Sequence, residues 1–339
     1  MGRNIPVLLV MLLFGGIPWQ LQAAGHTHHA GHAEHLGQAP AGVMGDHIHT
    51  AGDLMFTYSY MRMHMDGMRD GNSHISTADI LSDYMVAPLR MDMEMHMFGV
   101  MYSVNNRLSL MAMVPLIRKD MDHITRTGIR FTTRSDGPGD VSLRGVYALT
   151  VTPDNSVLLN LGLSVPTGDI DASDDTPAGT DVQLPYPMQP GSGTWDLLPG
   201  ITWGHQHNDW SLGAQAQATI RLGDNANDYT PGDRLELSIW GGRKLTPALK
   251  GLLRLRAQTW GEVDGADPGL NPLLVATADP ELQGGSRADL LVGMNFYGPQ
   301  GVFNGSRLAI EAGVPVYEDL DGLQMSADWL LSANWQVVF

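Results

Sequence analysis

Residues 328–339 read DWLLSANWQVVF, and the residues alternate in character. Trp329, Leu331, Ala333, Trp335, Val337 and Phe339 share one face. Asp328, Ser332, Asn334 and Gln336 share the other, with Leu330 and Val338 as exceptions. A period of two is the signature of a strand with one apolar and one polar side. In a soluble sheet the apolar side would meet a core, so the meaning of this strand depends on the rest of the chain.

Working backwards, the same alternation predicts twelve strands, at about 53–65, 90–104, 107–118, 139–151, 155–166, 194–205, 209–222, 233–244, 249–261, 285–297, 305–317 and 325–339. The cleanest sets Trp210, Leu212, Ala214, Ala216, Ala218, Ile220 and Leu222 against Ser211, Gln215, Gln217, Thr219 and Arg221. These strands run to about a dozen residues, longer than the usual strand of about six and long enough to cross a bilayer at a tilt. Their connections are short at 104–107, 152–155, 205–209, 245–248 and 298–304. They are mostly long at 66–89, 119–138, 167–193, 223–232, 262–284 and 318–324. Short turns alternating with long loops, and an even strand number, are the pattern of a closed outer-membrane barrel. The expected fold is an all-β transmembrane antiparallel β-barrel of about twelve strands over 53–339. The short turns and both termini would lie in the periplasm of a Gram-negative bacterium. The terminal Phe339 resembles the C-terminal signal of such barrels, which implies outer-membrane lipid and the barrel-assembly machinery as partners.

Composition narrows the function. The formal charge is −16, from 20 basic against 36 acidic residues, which excludes nucleic acid as the natural partner. There is no cysteine, so a soft-metal site would have to use Met or His. Residues 1–24 read as a secretory signal: Arg3 is followed by the apolar run VLLVMLLF at 7–14, with cleavage after Ala23 or Ala24. Residues 25–52 form a His-rich periplasmic segment without apolar periodicity, expected to be disordered without a ligand.

Three segments carry a resemblance. GPGDVSLRGVYAL (137–149), LGLSVPTGDI (161–170) and GSGTWDLLPGITW (191–203) are similar to the signatures of the outer-membrane transporter family named for the meta-cleavage pathway of phenol degradation. The likeness spans roughly 43–339. It implies a barrel and transport, and supplies no catalytic residues. The methionine density and the GVMGDHIHTAGD stretch (42–53) are not general features of that family.

Fifteen of the twenty methionines lie between Met44 and Met121. Thioether sulfur is a soft, neutral ligand that selects Cu(I), and by analogy Ag(I). Met61, Met63 and Met65 in the first strand point inward, because Leu54, Phe56, Tyr58 and Tyr60 make its outer face. An M-x-M step places successive sulfurs about 7 Å apart along a strand. For the second strand two phases are open. Either Met91, Met93 and Met95 line the lumen and Asp92, Glu94 and His96 face out, or the reverse. A charge facing lipid at midplane costs on the order of 2–4 kcal/mol for a base and less for an acid, so the reverse phase is the cheaper expectation. His64 and His96 sit within the Met runs. In the N-terminal segment, His26, His28, His29, His32, His35, His47 and His49 fall within 24 residues, a composition suited to weak multi-site capture of Cu(II), Zn(II) or Ni(II). Methionine packing and a solvated linker are the alternatives.

The inward faces of later strands carry a mixed set expected to line the pore: Arg144, Gln215, Gln217, Arg221, Arg254, Arg256 and Asp289. Nothing resembles a nucleophile–base pair or a phosphate loop, so the chain reads as a non-enzyme with no obligatory cofactor. Three functions remain. One is a channel binding or passing copper or silver. The second is an uptake channel for small hydrophobic or aromatic molecules, and the third a structural envelope barrel.

Overall fold

The computed structural model of the protein describes residues 38–298 and 305–339. The expected signal segment and His26, His28, His29, His32 and His35 lie outside them. The main sheet is formed by β1 (Leu54–Gly71), β2 (Val86–Asn105), β3 (Leu108–Thr125), β4 (Val141–Val151), β5 (Asn155–Val165), β6 (Trp195–His207), β7 (Trp210–Leu222), β8 (Arg234–Thr246), β9 (Leu249–Trp260), β10 (Gly285–Tyr297) and β11 (Ser306–Val338). Each pairs antiparallel with its sequence neighbours, and β11 pairs with β1, so the sheet closes. Closure leaves no strand edge in hydrocarbon, where unpaired backbone groups would be costly. A shorter strand, Arg130–Pro138, continues β4 upward and pairs with the end of β3.

β11 is two staves. Its first part runs antiparallel to β10 (Leu320 opposite Gly285, Arg307 opposite Tyr297), and its second antiparallel to β1 (Met68 opposite Met325, Met55 opposite Val338). A chain that runs both ways must reverse. It does so at Asp321 and Gly322, where Gly322 takes φ +104°, a backbone region open to glycine. The legs then meet: Val338 N–H donates to Gly305 O at 3.0 Å, and Ser326 Oγ donates to Glu318 at 2.7 Å. The eleven segments therefore supply twelve staves, the even number expected. The connection around 318–324, expected among the mostly long ones, is this tight turn.

The polarity is inverted relative to a soluble domain. Phe56, Val100, Leu110, Leu143, Leu161, Ile201, Leu237, Leu253, Val292, Val314 and Trp335 are exposed on the outer surface. Arg254, Asp289, Glu311 and Asn295 are buried inside. A continuous apolar exterior around a polar interior suits lipid outside. Among the described residues no helix is long and apolar enough to cross a membrane. β1, β2 and β3 have 18, 20 and 18 residues and rise beyond the apolar belt at the long-loop end.

Both ends are narrowed by the chain itself. At the short-turn end residues 38–53, which contain no helix or strand, pack into the mouth with Ala39, Ala41 and Val43 buried. The expectation of a free segment through residue 52 is corrected for these residues, whose polar groups are held by the wall. Gln215 Nε2 donates to Met44 O at 2.7 Å, Asn295 Nδ2 donates to Ala39 O at 3.1 Å, and Gly42 N–H donates to Glu311 at 3.2 Å. At the other end the long loops interlock. Tyr186 stacks edge-on against Tyr229 at 5.0 Å, and its hydroxyl accepts from Asp267 N–H. The acidic stretch 169–181 is partly the hairpin Ser173–Thr176 with Gly179–Gln183.

Candidate functional site

The methionines of β1 and β2 face the lumen together. β1 follows the expected phase, with Phe56 exposed and Met55, Met65 and Met68 buried. β2 does not follow the cheaper expectation: Phe98, Val100 and Tyr102 are exposed, whereas Met91 and Met101 are buried. Hence Met91, Met93, Met95 and Met97 point inward, and Asp92, Glu94 and His96 point out. The penalty assumed for outward charge is avoided because β2 projects above the apolar belt and its neighbours carry matching groups. Arg62 meets Asp92 at 3.0 Å and Glu94 at 3.4 Å; His64 Nδ1 lies 3.0 Å from Asp92; Tyr58 OH lies 2.8 Å from His96 Nδ1. Two of the proposed ligands, His64 and His96, are thus on the opposite face of the sheet from the thioethers and cannot share an ion with them.

Register turns the inward residues into a ladder. Met61 lies opposite Met95, Met63 opposite Met93, and Met65 opposite Met91, with Met121 of β3 beyond Met91. At the long-loop end Met65, Met91 and Met121 are buried against Leu184 and Met188, which the loop folds over them. Lys119 fixes that loop by donating to the carbonyls of Pro187 and Gln189, both at 2.7 Å. At the short-turn end a second group, Met55, Met101, Met111 and Met113, packs with Met44 and Met97.

The facing wall is charged. Arg254 donates to Glu311 at 3.2 Å and to Glu236 at 3.1 Å, and its Nε and Nη2 both reach Ser238 Oγ. Asp289 joins Arg256 at 2.6 Å and Arg287 at 3.1 Å. Arg287 Nη1 then lies 3.6 Å from Met63 Sδ, where the two walls touch. Every residue expected to line the pore belongs to this interior, but several are committed to structure. Gln215 and Gln217 hold the Met44 carbonyl, and Arg221 pairs with Asp196 at 2.5 Å. Arg144 lies along Gly162, where an added Cβ would meet its side chain. The roles of Gln215 and Gln217 were invisible in sequence because their partner, Met44, belongs to a segment that read as an unstructured tract.

The three glycine-containing segments singled out in the sequence converge in space at the long-loop end of β4, β5 and β6. Asp140 accepts from Gly168 N–H at 2.9 Å, from Ser192 N–H at 2.8 Å and from Ser192 Oγ at 2.7 Å. Thr167 Oγ1 donates to Gly139 O at 3.1 Å. Gly168 and Gly191 approach so closely that a Cβ on either would overlap the other's backbone. This is a knot that sets loop departure, without the features of a ligand site.

Fold and polarity define an outer-membrane β-barrel. A family described as the MetA-pathway of phenol degradation matches residues 76–271, and the chain belongs to it. Among solved structures it is similar to an outer membrane channel from Pseudomonas putida F1, with 14% identity over 86% of this chain and 97% of that one, and a TM-score of 0.60. Weaker likenesses are the β domain of a Bordetella autotransporter (13% identity, 85% of this chain and 100% of that one, TM-score 0.46) and a FadL homologue from Pseudomonas aeruginosa (13%, 88% and 92%, 0.41). At such identities the likeness speaks to the fold alone. No curated protein matches.

Proposed function

We propose that this barrel is a channel for soft metal ions, Cu(I) or Ag(I), with its short turns in the periplasm and its long loops outside. The observation that carries the reading is the in-register ladder of Met61 with Met95, Met63 with Met93 and Met65 with Met91 on the lumen wall. Neutral thioethers bind such ions without holding them as thiolates would, and repeated weak sites permit passage. The facing arginines are largely paired with carboxylates, which lessens their repulsion of a cation. Both mouths are narrowed by chain segments, a geometry that suits a small ion. His26, His28, His29, His32 and His35 would collect metal. Phe339, exposed on the outer face, would be presented to the barrel-assembly machinery. No catalytic role or obligatory cofactor is proposed.

The family description favours a second reading, uptake of small aromatic compounds, for which a methionine wall would be a compliant apolar path. Replacing Met61, Met63 and Met65 together by Leu separates the two. Apolar volume is nearly conserved, so stability should fall by less than about 1.5 kcal/mol per site. Silver flux into proteoliposomes and cellular copper or silver tolerance are expected to change, while phenol entry is not. Unaltered metal flux with altered phenol entry would reverse the assignment.

A further inference from the structure

The second methionine group borders a small cavity. Met44, Met55, Met101, Met111 and Met113 line a cavity of about 20 Å³ together with His47, Thr57, Asn334 and Gln336. That volume holds one water or one ion. His47 is nine-tenths buried: its Nδ1–H donates to Asp46 Oδ1 at 2.6 Å, and its Nε2 is buried with no hydrogen-bond partner among the described residues. Asp46 is itself buried and accepts from Ala39 N–H at 2.9 Å. A carboxylate on one imidazole nitrogen fixes the tautomer and leaves the other nitrogen's lone pair for a metal. His49 adds a contact of 3.3 Å between its Nε2 and Met55 Sδ.

We infer that Met44, Met55, Met101, Met111, Met113 and His47 form a resident soft-metal site for one Cu(I) or Ag(I) ion at the short-turn end. Thioethers are weak hydrogen-bond acceptors, so five of them around one space suit a soft cation better than a water. The ion enters already monovalent; binding is coordination by sulfur and the His47 Nε2 lone pair, with no electron transferred. Met44 and His47 belong to the mouth segment and the other four sulfurs to β1, β2 and β3, so the ion would bridge the segment to the wall. This site shares its ion class with the proposed channel but none of the ladder residues, and each can fail alone.

The test uses the full chain in detergent, with the five upstream histidines (26, 28, 29, 32 and 35) changed to Ser to silence competing sites. Silver nitrate is titrated in chloride-free buffer by calorimetry, and the loaded protein is examined by silver X-ray absorption. One tightly held ion with sulfur and nitrogen neighbours is expected. Met55→Leu/Met111→Leu and His47→Gln should each weaken it by about tenfold or more. Met61→Leu/Met63→Leu/Met65→Leu should leave that affinity unchanged. Should the buried pair fail to give heat-modifiable barrels, Met44→Leu in the mouth segment makes the same measurement. A parent that binds no silver tightly, or variants with parental affinity, means the cavity holds at most water and overturns the site. The channel reading would still stand on the ladder variant's flux.

Discussion

Replacing Glu311 by Ala is expected to destabilise the barrel by about 3–5 kcal/mol, the cost of leaving a buried charge without its partner. Glu311 and Arg254 are each 1% exposed and meet at 3.2 Å. Glu311 also accepts the Gly42 N–H, so its loss leaves Arg254 with Glu236 as its one remaining carboxylate partner among the described residues and releases one anchor of the mouth segment. The urea midpoint for loss of heat-modifiable mobility measures the effect. The double change Arg254→Met/Glu311→Leu removes both charges at similar volume and should recover most of the loss, since apolar replacement of buried pairs is often neutral. If the single variant unfolds at the parental midpoint, the interior network is not structural.

Asp140→Ala should be nearly as severe, at about 2–4 kcal/mol, because one carboxylate satisfies three donors on two other segments and hydrogen bonds to charged groups are the stronger ones. Asp140→Asn should cost about half as much: its single oxygen still accepts from Gly168 N–H, but its amide cannot accept from Ser192. Gly191→Ala provides an independent check, as its Cβ would fall 2.4 Å from the Gly168 carbonyl carbon, backbone that cannot move aside. Limited proteolysis of the loop spanning 166–194 reads all three. An intact loop in Asp140→Ala would mean that the knot is dispensable.

All twelve staves were legible because lipid on one side and polar groups on the other impose a period of two along each strand. The phase of β2 was not, for a specific reason. Both of its faces carry groups that can be lumenal, and the tie was decided by height and neighbours. Arg62 of β1 and Arg118 of β3 stand on either side of Glu94 in register. Arginines at matching heights on both flanking strands are a signal present in the sequence, readable once strands are aligned rather than taken singly. Residues 38–53 were missed because a segment that fills a lumen has no period of its own. Its small residues, Ala39, Ala41, Gly42 and Gly45, fit a wall whose shape is set by other strands. The His64 and His96 assignments failed on facing alone, since neighbours in sequence on a strand are opposites in space.

The seam between β1 and the second leg of β11 has a consequence in time. Met55 pairs with Val338, so the first and last staves are joined by the longest-range contacts in the barrel, and contacts of that range form late. The mouth segment lies immediately before β1 and ends up enclosed by walls as distant as Gln215 and Arg307. It must therefore be gathered in while the cylinder is still open, or be drawn through a closed mouth afterwards. In the first case, zipping the seam is the event that traps it, and the barrel's final fold step also sets whether its own entrance starts out occupied.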